Sequence, residues 1–428
     1  MGLRRPGISM YVFLQKWMDK MKKAHKIKLY PTIQQAELFR KSCGVARFSY
    51  NWALARWDQL RESGGKESAY DMIKAITAIK REQFPWMLEV SKTCPQYAIH
   101  NLHKAFKGFF SKQTKYPKFK KRGHRDSFVA IEKSNDFRTY DDKIHIPRIG
   151  RVKAAEKLRF EGTVNNVVVK RIADMWFAVI NIEVPESIPT LKRNKSGDNQ
   201  AIVGVDFGIK SMMVLSDGTI YENPKALRRN LKRLKQRQRR LSKKQKGSKN
   251  RQKQKMKVAR THYRVGCIRS NAIHQATTAI VKKFDKIVVE DLNVAGMVKN
   301  RRLAQAVSDV SFGEIRRQLA YKAKWSGKEL VIADRFFASS KTCSCCGHKK
   351  DKLKLSERIY RCENCGLEID RDLNAAQNLA NYGTTPKSGE SNAFGVGSSQ
   401  PEMVDSLTLN KEASFIADLP KGARSDLL

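Results

Sequence analysis

Three acidic residues stand where secondary-structure patterns end. Asp206 closes the apolar run AIVGV, Glu290 closes KIVV, and Asp372 opens the helical pattern DLNAAQNLA. Strand ends on one side of a mixed sheet converge, and so does the N-terminus of a helix packed on it. Carboxylates brought together repel unless a divalent cation lies between them. Two Mg²⁺ ions about 3.5–4 Å apart can then activate a water and stabilise the leaving oxygen of a phosphodiester. A single such Asp is more often a turn or cap residue, but three in a strand–hairpin–helix–strand–helix order point to a catalytic set. Asp206-Phe207-Gly208 also spells a kinase metal-binding tripeptide. A kinase would need a Gly-rich loop, a strand lysine and an HRD-type loop upstream, and the chain has none.

A second constellation is Cys343-x-x-Cys346, then 15 residues, then Cys362-x-x-Cys365, each pair followed by Gly (Gly347 and Gly366). Four thiolates close a tetrahedral Zn²⁺ shell, which makes such a site structural. Cys345 falls inside the first pair and is expected not to ligate; His348 is spare. Clustering of five of the eight cysteines within 23 residues suits metal better than disulfides.

The charge balance names the partner class. The 428 residues carry 85 Lys or Arg against 41 Asp or Glu, a formal net charge of +44. Such an excess argues against an enzyme acting on uncharged small molecules and points to nucleic acid. Residues 225–264 hold 19 of the bases and no acid. Among them Lys232, Arg233, Arg237 and Arg240 are candidate phosphate contacts, the alternative being a solvated helix face. The loop 115–124 offers Lys118, Lys120 and Lys121, with Tyr116 and Phe119 placed to stack on bases. Arg47, Tyr50 and Asn51 share a helix face and are either structural or base- and backbone-contacting. Ser339, Ser340 and Lys341, leading into the cysteines, and Arg371, beside Asp372, complete the candidates. At 41% hydrophobic the chain can build real cores, and it has no run of about 18 apolar residues to cross a membrane. The apolar stretch Met10–Leu14 is too short for a signal peptide, so a cytosolic protein is expected.

At about 150 residues per domain, two to four domains are expected. Residues 1–20 read as an extension before a start at Met21. The strand AHKIKLY is followed from Thr32 by helical spacing of Ala36, Phe39, Cys43 and Val45, and then of Ile73, Ile76 and Ile79. Short alternating strands follow at 127–131, 143–146, 166–171 and 175–183, with a hairpin turn at Ile172–Asp174, as in a small barrel interrupted by the helical block. Residues 185–200 are linker. From 201 strands and helices alternate, with a thin leucine stripe through the basic run and a second helix from about Val265. Residues 384–428 lack periodicity and are expected to be a disordered or loosely attached tail.

Taken in order, KIKLYPT, GVARFSYNWAL, YPKFKKR, GVDFGIK, IVVEDLN, SSKTCSCCG…CENCG and DRDLNAAQNLA resemble the TnpB (OrfB) family of transposon-encoded proteins, relatives of type V CRISPR effectors. The resemblance runs from about residue 21 to 382. It implies a fold class of α/β plus β-barrel and helical domains. The parts are a wedge-type β-barrel (21–31 and 115–190) interrupted by a helical recognition domain (32–114), an RNase H-like RuvC nuclease domain (201–334 and 369–383) and a zinc ribbon (335–368). It also implies RNA-guided cleavage of double-stranded DNA beside a short motif, with Asp206, Glu290 and Asp372 holding two Mg²⁺, one structural Zn²⁺, and guide RNA and target DNA as partners. A monomer or weak dimer per guide RNA, in a nucleoid-associated bacterial or archaeal setting, is the matching expectation. Of Asp370 and Asp372, the latter fits the family's D-x-N pattern with Asn374. Ala338 departs from a Pro frequent in the family. The rival reading is a non-cleaving RNA-guided repressor or transposition accessory protein; the intact acids argue against it.

Overall fold

The computed structural model describes residues 21–131, 139–140, 142–184, 201–354 and 356–384. The extension expected at 1–20, the linker at 185–200 and all but the first residue of the expected tail lie outside them. No helix among the described residues is long and apolar enough to cross a membrane.

Two compact units divide the chain near residue 186. The first is organised on β1 (Met21–Tyr30), whose inward residues His25, Ile27 and Leu29 alternate with lysines. It pairs antiparallel with β7 (Met175–Val184) from Met21↔Val184 to Leu29↔Trp176. β2 (Ser127–Ala130), β3 (Thr139–Tyr140), β4 (Lys143–Ile146), β5 (Gly150–Ala154) and β6 (Thr163–Ile172) complete the order β2-β6-β7-β1-β5-β4-β3. The β6–β7 hairpin turns through Ala173 and Asp174, with Ala173 at φ 56°. The expected barrel is a half-barrel: the order is linear, with β2 and β3 at its two ends.

Between β1 and β2 come α1 (Ile33–Glu62), α2 (Ala69–Ile79) and α3 (Thr93–Phe110). Thr32 and Gln35 form a reciprocal capping box that starts α1. These helices and the sheet share one core. Phe39 of α1 meets Phe128 of β2 and Trp176 of β7 at ring separations of 5.9 and 5.0 Å.

The second unit carries a sheet of β8 (Ile202–Asp206), β9 (Ser211–Leu215), β10 (Ile220–Glu222), β11 (Lys286–Val289) and β12 (Glu329–Ile332) in the order β10-β9-β8-β11-β12. β11 runs parallel to both β8 and β12, and β9 is antiparallel to β8 and β10. The central strands are almost wholly apolar, as buried parallel strands are. Its helices are α4 (Ala226–Ser242), α5 (Lys249–Lys283), α6 (Val294–Met297), α7 (Ala304–Val310), α8 (Phe312–Trp325) and α9 (Arg371–Thr384). Thr384, expected to open the tail, ends α9. Before α9 stands the small hairpin β13 (Ile359–Arg361) and β14 (Glu368–Asp370).

The basic run folds as a helical hairpin, α4 turning into α5. The second helix starts at Lys249, sixteen residues before the expected Val265. Hydropathy misses those turns because their seam with α4 is polar. Gln254 donates to the Arg237 carbonyl (2.9 Å), Arg237 donates to the Lys257 carbonyl (2.9 Å) and Thr261 (2.5 Å), and Arg251 donates to the carbonyls of Leu241 (2.8 Å) and Lys244 (2.7 Å). The start of α4 has no cap of its own, since Lys225 takes a left-handed φ of 46° with no side-chain bond. Asp309, buried in α7, supplies it. Its carboxylate accepts the N–H groups of Leu227 (2.9 Å) and Arg228 (3.2 Å) and pairs with buried Arg269 at 3.3 Å. An acid at a helix N-terminus also meets the positive end of its dipole.

Removing one partner of a buried ion pair strands the other. Asp309→Ala should therefore cost about 3–5 kcal/mol in urea unfolding; a loss under about 1 kcal/mol, the scale of an exposed pair, would show that this anchor is not needed.

Candidate active site and metal centre

The acid cluster is placed by one close helix–strand contact. α9 lies directly on β8: a Cβ added at Gly204 would sit 1.9 Å from the Ala376 carbonyl and 2.5 Å from the Ala380 nitrogen. At the other end of α9 a Cβ on Gly383 would meet Val288 of β11 at 2.6 Å. The helix thus runs antiparallel to both strands. Its first turn, with Asp372, lies at their C-terminal ends, where Asp206 and Glu290 stand two residues beyond Gly204 and Val288 on the same strand face. Asp206, Glu290 and Asp372 are brought within one another's fields.

Each neighbouring acid is already employed. Asp370 accepts the N–H groups of Asp372 (2.9 Å) and Leu373 (3.1 Å), so it is the cap of α9. Asp291 is held by Arg316 (2.6 Å) and Arg335 (2.5 Å), which keep its carboxyl below the usual range despite burial. Glu290 accepts the hydroxyl of buried Ser339 at 2.6 Å. Arg371, expected to face nucleic acid, turns its guanidinium to the Asp372 carboxylate at 3.1 Å.

Ser339, which the sequence places with Ser340 and Lys341 on the way into the cysteines, bonds an acid of the cluster; Ser340 beside it is half-buried. What holds Ser339 there is a row of amides on α9. Asn378 donates to the carbonyls of Ser339 (2.7 Å) and Thr342 (2.6 Å), and Asn374 donates to Thr342 (2.7 Å) and accepts from the Ser344 N–H (2.9 Å). Both asparagines are buried. The i, i+4 spacing of Asn374 and Asn378 is the sequence signal that could have shown a polar face.

Burial, then the charges of Glu290 and Asp372, raise the Asp206 carboxyl well above the ordinary carboxylate range. Burial, opposed by the Ser339 hydrogen bond and reinforced by Asp372, raises Glu290. Carboxyls raised on folding bind protons more tightly in the folded state. In metal-free protein their contribution is therefore best below the unfolded value near ~4 and is lost as pH rises through the folded values. Asp206→Asn should consequently melt higher than wild type in chelator at pH 7–8, with the gap closing toward pH 4. A lower melting temperature for the variant at neutral pH would show that the three carboxylates do not repel.

The cysteines form the metal-competent group. The sulfurs of Cys343, Cys346, Cys362 and Cys365 all lie within 4.8 Å of one another, the one such group among the described residues. Gly347 and Gly366, at φ 75° and 72°, allow each knuckle to fold back. Their N–H groups donate to the carbonyls of Cys343 (3.0 Å) and Cys362 (3.1 Å). The His348 N–H, then the Asn364 side chain, pull the Cys346 thiol down to about 6, toward the thiolate that a metal binds. Cys345 is exposed and outside the group. Tyr360, fully buried, packs with Cys343 and Cys362 as the core of this small lobe.

The remaining nucleic-acid candidates separate into outward and inward side chains. Lys232, Arg233, Arg240, Lys118, Phe119 and Lys121 are exposed. Arg237 instead staples α4 to α5, and Lys341 donates to the Asp351 carbonyl (2.8 Å). Tyr116 packs edge-on to Phe106 and Phe109 and donates to Asp58; burial, then that bond, push its hydroxyl up to about 12. Asn51 exchanges two hydrogen bonds with the backbone of Lys120 (2.8 and 3.0 Å), whose ammonium lies 3.9 Å from the buried Tyr50 ring centroid. Arg47 faces Asp126 at 4.0 Å. Arg47, Tyr50 and Asn51 thus fasten the basic loop to α1: their structural reading is the one these contacts favour.

Against known folds the molecule resembles a cryo-EM structure of a Cas12f1–sgRNA–target DNA complex, with a TM-score of 0.50 at 14% identity, covering 84% of this chain and 99% of that one. The fold is therefore that of a type V effector, mixed α/β with a half-barrel sheet. Family models match in sequence: OrfB_IS605, described as a probable transposase, at 179–301; a Cas12f1-like TNB domain at 312–379; and a helix-turn-helix domain at 18–66. Residues 33–62 of the last span are one continuous helix. A Streptomyces pristinaespiralis protein named "Putative RNA-guided DNA endonuclease" is 36% identical over 85% of this chain and 89% of its own length. InsQ of Escherichia coli K12, named in the same words, is 32% identical over 84% and 92%. The chain belongs to the TnpB (OrfB) family.

Proposed function

We propose that this protein is an RNA-guided, Mg²⁺-dependent endonuclease of double-stranded DNA. The carrying observation is the gathering of Asp206, Glu290 and Asp372 with raised carboxyls on the first two, while Asp370 and Asp291 are committed elsewhere. Leaving such repulsion in place destabilises a fold unless cations occupy it. The names of the similar proteins support the same reading. The strand order of the second unit, with β9 antiparallel to β8 and β11 and β12 parallel to it, supports an RNase H-like, RuvC-type centre.

The three carboxylates would hold two Mg²⁺, which when bound supply an activated water and charge stabilisation for the leaving oxygen. Ser339 fixes the rotamer of Glu290, Asp370 fixes the start of α9, and Arg371 restrains Asp372. The four cysteines would hold one structural Zn²⁺. Guide and target are bound through phosphates by exposed bases such as Lys232, Arg233 and Arg240, with sequence read by pairing. We assign the wedge module to 21–31 and 115–190, recognition helices to 32–114, nuclease to 201–334 and 369–383, and ribbon to 335–368.

Asp206→Ala or Asp372→Ala should abolish guided cleavage in Mg²⁺ while guide and target binding persist. A variant that still cuts overturns the acid assignment, and a wild type that binds guided DNA without cutting it establishes the repressor reading instead. Neutralising Lys232, Arg233 and Arg240 to Gln, with Arg237 left to hold the hairpin, should flatten the salt dependence of affinity. The slope should fall by roughly 0.7–0.9 log units for each phosphate that is no longer neutralised; an unchanged slope would make this a solvated face. Metal analysis should find about one Zn²⁺ per chain, lost in Cys362→Ser and retained in Cys345→Ser. The reverse pattern would exchange the ligands.

A further inference from the structure

The segment joining β12 to the cysteine lobe is pinned at both ends, once to the acid cluster and once to the acid next to it in sequence. Arg335 bonds Asp291 at 2.5 Å, and Ser339 bonds the adjacent Glu290 at 2.6 Å. The five residues 335–339 therefore straddle the end of β11. Between the anchors the backbone is fixed as well. The Phe336 N–H donates to the Asp334 carboxylate (2.8 Å), and the Phe337 N–H donates to the Asp334 carbonyl (3.0 Å). Phe337 turns inward and packs on Tyr382 of α9, with ring centroids 4.9 Å apart. Phe336 is left pointing out, 89% exposed, the most exposed large hydrophobic side chain among the described residues.

A lone exposed apolar residue is ordinary on a protein surface. Phe336 differs because its segment cannot collapse over it: Arg335 and Phe337 are held on either side. Three residues from Ser339, its Cα lies at most about 11 Å from that of the residue bonded to Glu290. A rigid aromatic face in water, beside an acid cluster that acts on phosphodiesters, suits the π-face of a base whose backbone enters the cluster.

We propose that Phe336 is a stacking platform for one base of the single DNA strand that enters the acid cluster, and that it sets which phosphodiester lies over Asp206, Glu290 and Asp372. The proposal rests on the endonuclease reading above. Stacking involves no base-edge hydrogen bond, so the residue acts on rate and cut position and not on the choice of target.

The full chain with its guide RNA is assayed for single-turnover cleavage, with products mapped to the nucleotide, as wild type, Phe336→Ala, Phe336→Leu and Phe336→Trp. Loss of one base stack is expected to slow Phe336→Ala by about tenfold and spread its cut positions. Phe336→Leu should behave like Phe336→Ala, and Phe336→Trp should cleave like wild type. Melting temperature and target-duplex affinity should be unchanged in all three. Wild-type rate and cut positions in Phe336→Ala would overturn the proposal, as would rescue by Leu equal to that by Trp, which would make the residue a packing contact. The same proteins are titrated with single-stranded DNA containing 2-aminopurine, whose fluorescence falls on stacking. Quenching that is weaker in Phe336→Ala and retained in Phe336→Trp supports stacking; equal quenching in Phe336→Ala overturns it. This second measurement decides the proposal even if wild type fails to cleave guided DNA, the outcome that would remove the endonuclease reading itself.

Discussion

The approach of α9 to β8 at Gly204 is the constraint on which the second unit depends. No side chain separates helix backbone from strand backbone there, so the two elements sit closer than any other residue type would allow. That distance sets how near Asp372 comes to the ends of the parallel strands. It also frees the opposite face of α9 for a different task. Asn374, Asn378 and Gln377, which bonds Ser344 at 2.8 Å, grip the entry to the cysteine lobe. One helix thereby positions an acid, seats a sheet and holds a metal-competent lobe, and Ser339 returns from that lobe to Glu290.

In a chain with twice as many bases as acids, the acids sit where they matter most. Asp309 caps α4 and neutralises Arg269; Asp291 joins Arg316 to Arg335; Asp217 and Lys283 pair at 2.6 Å. Each removes self-repulsion at a point where the fold brings basic segments together. The exception is the trio Asp206, Glu290 and Asp372, where three acids are gathered against the single base Arg371.

Much of this is legible in the sequence because hydropathy and turn chemistry agree. The apolar runs before Asp206 and Glu290 are strands, the paired CxxC-Gly motifs are knuckles, and the turn expected at 172–174 is the two-residue loop Ala173–Asp174. The illegible parts are those held by polar groups. The first turns of α5 bury Gln254 and Thr261 and not leucine, so no stripe announces them. Tyr116 has the sequence setting of a stacking residue because its loop is basic, but Phe106 and Phe109 at the end of the preceding helix and Asp58, far off in sequence, claim it. Asn51 and Arg237 escape for the same reason: a polar side chain in a basic segment shows in sequence what it can bond, not what it does bond. β5, with the composition GRVKA, is too short and charged to stand out, and only its neighbours β1 and β4 make it a strand.

The wide separation of Asp206 from Asp372 along the chain has a consequence for biogenesis. Asp206 and Glu290 are threaded out of the ribosome long before α9, and the long-range contact at Gly204 cannot close until α9 has emerged. The carboxylate set is therefore incomplete throughout most of synthesis, and a nascent or prematurely terminated chain carries the basic hairpin of α4 and α5 without its third acid. Chain order itself delays the joining of the three acids until α9 has folded onto β8.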